Sequence, residues 1–117
     1  MTKLFHLSNC STCQRIIKDL NLPENTVFQD IKEESITEDD LEKMKKSIGS
    51  FEGLFSKRAM KYRGLGLHDQ TLTESDYKRL ILEEYTFLKR PVLFHNGQVF
   101  VGNSKKVVEA AKTMLHP

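Results

Sequence analysis

The chain has 117 residues, 38% of them hydrophobic, and its 18 Lys and Arg against 16 Asp and Glu leave a formal net charge of +2. That length suits one domain with an ordinary buried core. A charge so near balance argues against a nucleic-acid binder held by a basic field, and no apolar run approaches the ~20 residues that cross a bilayer. The opening Met-Thr-Lys-Leu-Phe-His shows no secretory signal pattern, so a cytoplasmic location is expected.

Leu4, Phe5 and Leu7 predict a short buried strand, followed by a loop that carries Cys10. Cys13, Ile16, Ile17 and Leu20 recur at helical spacing, which puts Cys13 on the buried side of a first helix that Asn21 and Pro23 end. Thr26 to Ile31 reads as a second strand. From residue 32 to about 90 the pattern turns helical. Thr37-Glu-Asp-Asp resembles a capping box, Leu41, Met44 and Ile48 form one face, and Gly49 stops the helix. Phe51, Leu54 and Phe55 predict a short apolar helix, and Tyr62, Leu65 and Leu67 a packed loop. Thr73-Glu-Ser-Asp caps a further helix with Tyr77, Leu80, Ile81 and Tyr85 on one side. Val92-Leu-Phe-His and Gln98-Val-Phe-Val flank Asn96-Gly97, a two-residue hairpin signal. Ser104 caps a last helix bearing Val107, Val108, Ala111 and Leu115.

No repeat, low-complexity stretch or linker interrupts this order, so residues 1–117 read as a single domain. Strand–helix–strand, a helical segment, then hairpin–helix is the thioredoxin-like plan of glutaredoxin type: an α/β fold with a mixed sheet and a helical insertion at about 32–90. It places the Cys10 loop at a carboxyl end of the sheet, where α/β sites form.

Cys10 and Cys13 are the only cysteines. A thiol at a helix N-terminus meets the positive end of the dipole and unpaired N–H groups, which favour the thiolate. Cys10 is therefore the expected nucleophile and Cys13 the thiol that resolves a mixed disulfide on it. In a reducing cytosol a lone Cys-x-x-Cys is catalytic, regulatory or metal-bound rather than a staple. Two ordinary small apolar residues are the bland alternative. A zinc site using His6 and His95 is the other, but it would need a second tight ligand pair that the sequence lacks, so no metal is expected.

Around the pair, His6 precedes Cys10 by four residues at the strand end. Facing the thiol, its imidazolium would favour the thiolate; spacing alone favours a solvated strand-end histidine. Arg90-Pro91 opens the third strand, where a proline costs no ladder bond. Arg90 there would set a permanent charge near Cys10, or simply solubilise the strand end. Arg58, in Ser56-Lys57-Arg58, reaches toward an anionic substrate or sits in a solvated turn; Ser11, Thr12 and Pro91 complete the expected substrate contacts. The acidic run from Asp30 to Glu42 reads as a solvated face, and the basic spots Lys57–Arg63 and Lys89-Arg90 divide between binding and solvation.

His6-x-x-x-Cys10-x-x-Cys13, Gly53-Leu-Phe-Ser-Lys-Arg with Tyr62-Arg-Gly-Leu-Gly-Leu, Leu88-Lys-Arg-Pro-Val and Phe100-Val-Gly-Asn occur in that order over essentially the whole chain. In these the chain resembles the ArsC/Spx family of thioredoxin-fold proteins. The resemblance implies that Cys10 is the reactive cysteine, His6 the histidine that arsenate reductases place four residues before it, and Arg90 the arginine that precedes a cis-proline and attends the sulfur. It also shows departures. Glutathione-coupled arsenate reductases hold the oxyanion with three arginines, and here Ser56 takes the first position while neither Val101 nor Gly102 supplies the last. Those enzymes also usually lack a cysteine at the Cys13 position. Both points argue against arsenate reduction. The Cys-x-x-Cys, Ser56-x-Arg58 and Val101-Gly-Asn look more like Spx or the uncharacterised reductase-like members of the family.

Two functions are thus expected to compete. One is a thiol–disulfide oxidoreductase of ArsC type with no bound cofactor, coupled to glutathione as co-substrate or to a glutaredoxin or thioredoxin system. The other is an Spx-like redox-sensing transcriptional regulator that binds the C-terminal domain of the RNA polymerase alpha subunit. Neither involves a membrane or direct nucleic-acid contact.

Overall fold

A computed structural model describes residues 1–117. In chain order the elements are β1 (Thr2–His6), α1 (Ser11–Leu20), β2 (Val27–Asp30), α2 (Glu38–Ile48), α3 (Met60–Gly64), α4 (Glu74–Glu83), β3 (Val92–His95), β4 (Gln98–Val101) and α5 (Lys105–Leu115). Single 3-10 turns cover Glu52–Leu54, Leu67–Asp69 and Tyr85–Phe87. The chain divides into two compact units: Met1–Glu34 with Arg90–Pro117, and Ser35–Lys89. No helix is long and apolar enough to cross a membrane.

The first unit holds the whole sheet, in the order β2-β1-β3-β4. β1 and β2 are parallel, joined through α1; β3 runs antiparallel to β1, and β4 to β3. Asn96 and Gly97 both take positive φ, 48° and 85°, the backbone that a two-residue hairpin turn of the favoured hand demands. Leu4, Leu93 and Phe100 stand in one cross-strand row. Against this row pack Ile16 and Leu20 of α1 and Val108 and Ala111 of α5, so both helices cover one face of the sheet. Each deeply buried leucine there stabilises the fold by roughly 2 kcal/mol through its removal from water. The register also sets His6 opposite Asp30 and Phe5 opposite Val92. The ends of β1 and β2 and the start of β3 therefore meet where the Cys10 loop leaves the sheet.

The second unit is helical. Thr37 with Asp40, and Thr73 with Asp76, form reciprocal capping boxes at the starts of α2 and α4. Gly49, at φ 107°, ends α2 in the left-handed region. Leu41, Met44, Leu54, Phe55, Ile81, Phe87 and Leu88 are buried, with Phe55 stacked on Phe87 at 4.8 Å between ring centroids. Glu74 adds a polar tie, its carboxylate accepting the N–H groups of Phe51 at 2.7 Å and Glu52 at 3.1 Å.

Three local expectations are corrected here. Residues 60–64 form the one-turn helix α3 instead of a packed loop, and Leu65 is 60% exposed. Tyr85 does not extend α4: Glu84 adopts extended backbone and its side chain accepts the Thr86 N–H, which starts a separate 3-10 turn. Ile48 is 41% exposed at the α2 terminus and is not part of the buried face.

Candidate active site

The site grows from the three residues between β1 and the thiol. Leu7 is buried, and its carbonyl accepts the Cys10 N–H at 3.1 Å and the Gln14 side-chain amide at 3.2 Å. This tight turn makes Cys10 the N-cap of α1, with φ −96° and ψ 110°, and its carbonyl takes the first helical bond from the Gln14 N–H. Cys10 is half-exposed, while Cys13, one turn on, is fully buried; both are free thiols.

The two sulfurs have opposite acidities. Partial burial pushes Cys10 up, but the Cys13 N–H, the Cys13 thiol, the Arg90 charge and the Thr12 N–H together outweigh it and hold its pKa below the ordinary thiol value. Burial pushes Cys13 up to about 11; the Leu7 backbone and Arg90 oppose this, while the hydrogen bond and charge of the neighbouring Cys10 reinforce it. The half-exposed thiol is thus the more acidic of the two.

Arg90 reaches the pair through the third strand. The Arg90–Pro91 peptide is cis, Pro91 is buried, and its carbonyl accepts the Gly102 N–H at 2.9 Å. With Val92 opposite Phe5, this junction lies at the level of His6. Ser11 is exposed at the first position of α1, and Thr12, half-buried, gives its N–H to the sulfur.

His6 faces β2. Its ring meets Phe28 edge-on at 5.8 Å, its charge bears on Asp30 opposite, and its Nδ1 is buried with no hydrogen-bond partner. Arg58 lies exposed in a turn of the second unit. The basic run around it is partly neutralised, Lys57 pairing with Glu52 at 2.8 Å and Lys61 with Glu84 at 2.6 Å. His95 sits beside the start of β1, its Nδ1 2.8 Å from the Thr2 hydroxyl and far along the strand from Cys10. No cluster of three or more His, Cys, Asp or Glu is arranged to hold a metal ion.

Sequence reasoning misses Ser8 and Asp30. The Ser8 hydroxyl and N–H both donate to one oxygen of Asp30, which closes the thiol loop onto the end of β2. The aspartate's turn-forming position ahead of Lys32 is visible in the sequence, but its partner 22 residues away requires the strand register.

A family model described as the ArsC family matches residues 5–111. No curated protein matches the chain in sequence. Among solved structures it is similar to an ArsC family related protein from Bacteroides fragilis, at 25% identity and a TM-score of 0.78, covering 94% of this chain and 96% of that one. It is also similar to an arsenate reductase from Vibrio cholerae, at 17% identity and a TM-score of 0.75, with 97% of each chain covered. An arsenate reductase (ArsC) related protein from Brucella melitensis aligns at 23% identity and a TM-score of 0.69, over 93% of this chain and 92% of that one. The fold, a mixed four-stranded sheet with an inserted helical unit, is the one these structures share.

Proposed function

The chain belongs to the ArsC family, and from that membership we propose that it is a thiol–disulfide oxidoreductase with Cys10 as nucleophile and Cys13 as resolving thiol. The observation that carries this reading is the placement of the pair, a half-exposed Cys10 at the N-cap of α1 and a fully buried Cys13 one turn on, with which a lowered Cys10 and a raised Cys13 agree. The Cys10 thiolate attacks a disulfide sulfur, forms a mixed disulfide and expels the other half as a thiolate that takes a proton. Cys13 then loses its proton and attacks Cys10. The internal disulfide forms, the bound half leaves as a thiol, and two electrons have passed from the pair to the substrate.

Cys10 raises the Cys13 pKa by its hydrogen bond and its charge. Both influences end when Cys10 becomes a neutral mixed disulfide, while the Arg90 charge that favours the Cys13 thiolate remains. The buried thiol thus sheds two lesser influences that raise its pKa, while burial, the largest, remains. Glutathione, or a glutaredoxin or thioredoxin, would return the pair to the dithiol. Ser11, Thr12 and Pro91 are the residues we assign to substrate contact. Arsenate suits the site poorly, because Ser56, Val101 and Gly102 stand where bidentate arginine contacts would be needed.

Coupling to glutathione, glutathione reductase and NADPH tests the proposal. Cys10→Ser is expected to bring NADPH consumption to background, and Cys13→Ser to trap a mixed disulfide on Cys10. Full turnover by Cys10→Ser overturns it. The Spx-like reading draws on the same pair, since an oxidant such as a disulfide or a peroxide would close Cys10 on Cys13 by taking two electrons and the two thiol protons. It predicts no turnover and redox-dependent retention on the immobilised C-terminal domain of the polymerase alpha subunit.

A further inference from the structure

We propose that Asp30 is the positioning residue of the thiol loop: from the end of the neighbouring strand it holds Leu7–Cys10 so that the Cys10 sulfur stays against its N–H donors. The inference rests on the thiolate reading above and adds a residue to it.

Asp30 is the last residue of β2. One of its carboxylate oxygens accepts both the N–H of Ser8, at 3.3 Å, and the Ser8 hydroxyl. The other accepts the N–H of Lys32 at 3.0 Å. One side chain therefore bridges two segments, the loop that leads into Cys10 and the turn that leaves β2. The parallel ladder supports the bridge from below, because the Ile31 N–H donates to the His6 carbonyl at 3.0 Å. The Leu7 carbonyl is taken by the Cys10 N–H. His6, Leu7 and Ser8 are thus each fixed by a different bond, and little slack remains before the N-cap.

An exposed aspartate with no task would be bound by water alone. Here three protein donors converge on it, charge-assisted bonds of the stronger kind, and the His6 charge lies opposite. Asp30 accordingly stays below the usual carboxylate range, led by the Ser8 hydroxyl and the Lys32 N–H.

The sign of its effect on the thiol separates two roles. As a negative charge near the loop, Asp30 would disfavour the Cys10 thiolate, and its removal would make Cys10 more acidic. As an anchor it favours the thiolate indirectly, because the sulfur must sit on the N–H groups of Thr12 and Cys13 to gain from them. Its removal would then make Cys10 less acidic. The geometry points to the anchor.

The test compares the wild type with Asp30→Ala, Asp30→Asn and Ser8→Ala in the full-length reduced protein. Iodoacetamide labelling of Cys10, resolved from Cys13 by mass spectrometry, gives its pH midpoint. Amide hydrogen exchange reports on residues 7–10. Asp30→Ala is expected to raise the midpoint by about one pH unit, on the order of one N–H bond to a thiolate, and to speed exchange in the loop. Asp30→Asn, which keeps an acceptor for the Ser8 hydroxyl, should raise it less, and Ser8→Ala should fall between them. An unchanged or lowered midpoint with unchanged exchange overturns the proposal. If Asp30→Ala does not fold, Asp30→Asn and Ser8→Ala decide by the same criteria. A wild-type midpoint at the free-thiol value would instead sink the thiolate reading, and loop exchange would still judge the anchor.

Discussion

At the scale of the residue, the proposed chemistry depends on an imbalance between two sulfurs that share one helical turn. Arg90 bears on both, so its replacement should be felt twice. Arg90→Ala is expected to raise the Cys10 labelling midpoint and slow alkylation at pH 7 several-fold, whereas Arg90→Lys should recover part of the loss because the charge remains. Stopped-flow labelling checks this, and equal rates in Arg90→Ala would contradict it. Cys13 makes a second prediction through linkage. Its folded pKa, about 11, lies above its unfolded value, so folding favours the neutral thiol. Stability is therefore untouched at neutral pH and falls as pH rises from about 9 toward 11, by roughly 2–3 kcal/mol. Cys13→Ala should lack this alkaline loss; urea midpoints at pH 7 and pH 10.5 compare the two. Asp30 acts at the other limb. Its carboxylate is held low, so its contribution persists above the ordinary value and is lost as pH falls through it, a dependence that Asp30→Asn should weaken.

At the scale of the element, local chemistry that marks an end is what makes structure legible in the sequence. Thr37 and Thr73 cap their helices as their spacing predicts, and Asn96-Gly97 turns the hairpin. Thr37→Ala should cost about 1 kcal/mol of stability in urea unfolding, since the Asp40 N–H loses its side-chain acceptor; no change would mean that the cap is dispensable. α3 is hidden for the converse reason. It buries no residue, and Met60 is 91% exposed, so no apolar period marks it. Tyr85 misleads because an aromatic at helical spacing looks like a continuing face, whereas the Glu84 side chain breaks the helix by bonding the Thr86 N–H. Cys10 and Cys13 are legible for a local reason too: their spacing across a strand-to-helix turn fixes which one is exposed and which is buried.

At the scale of the whole molecule, the parts of the site that the sequence conceals are those made by register. The order β2-β1-β3-β4 sets Asp30 beside His6 and brings the Arg90–Pro91 junction level with it. Arg90 is marked by family likeness and by its proline; the bond from Ser8 to Asp30 has no such marker. His6 shows the limit of spacing, since four residues before a cysteine does not say which neighbour the ring meets, and here it meets Phe28 and Asp30. The ArsC match over residues 5–111 accounts for the fold; the reactive thiol and the missing arginine contacts belong to the proposed function. The measurement that bears most directly on the account is the pH profile of alkylation at Cys10 and Cys13 in the reduced wild-type protein. Two separated midpoints are predicted, Cys10 below the ordinary thiol value and Cys13 near 11. Coincident midpoints at the ordinary value would contradict it.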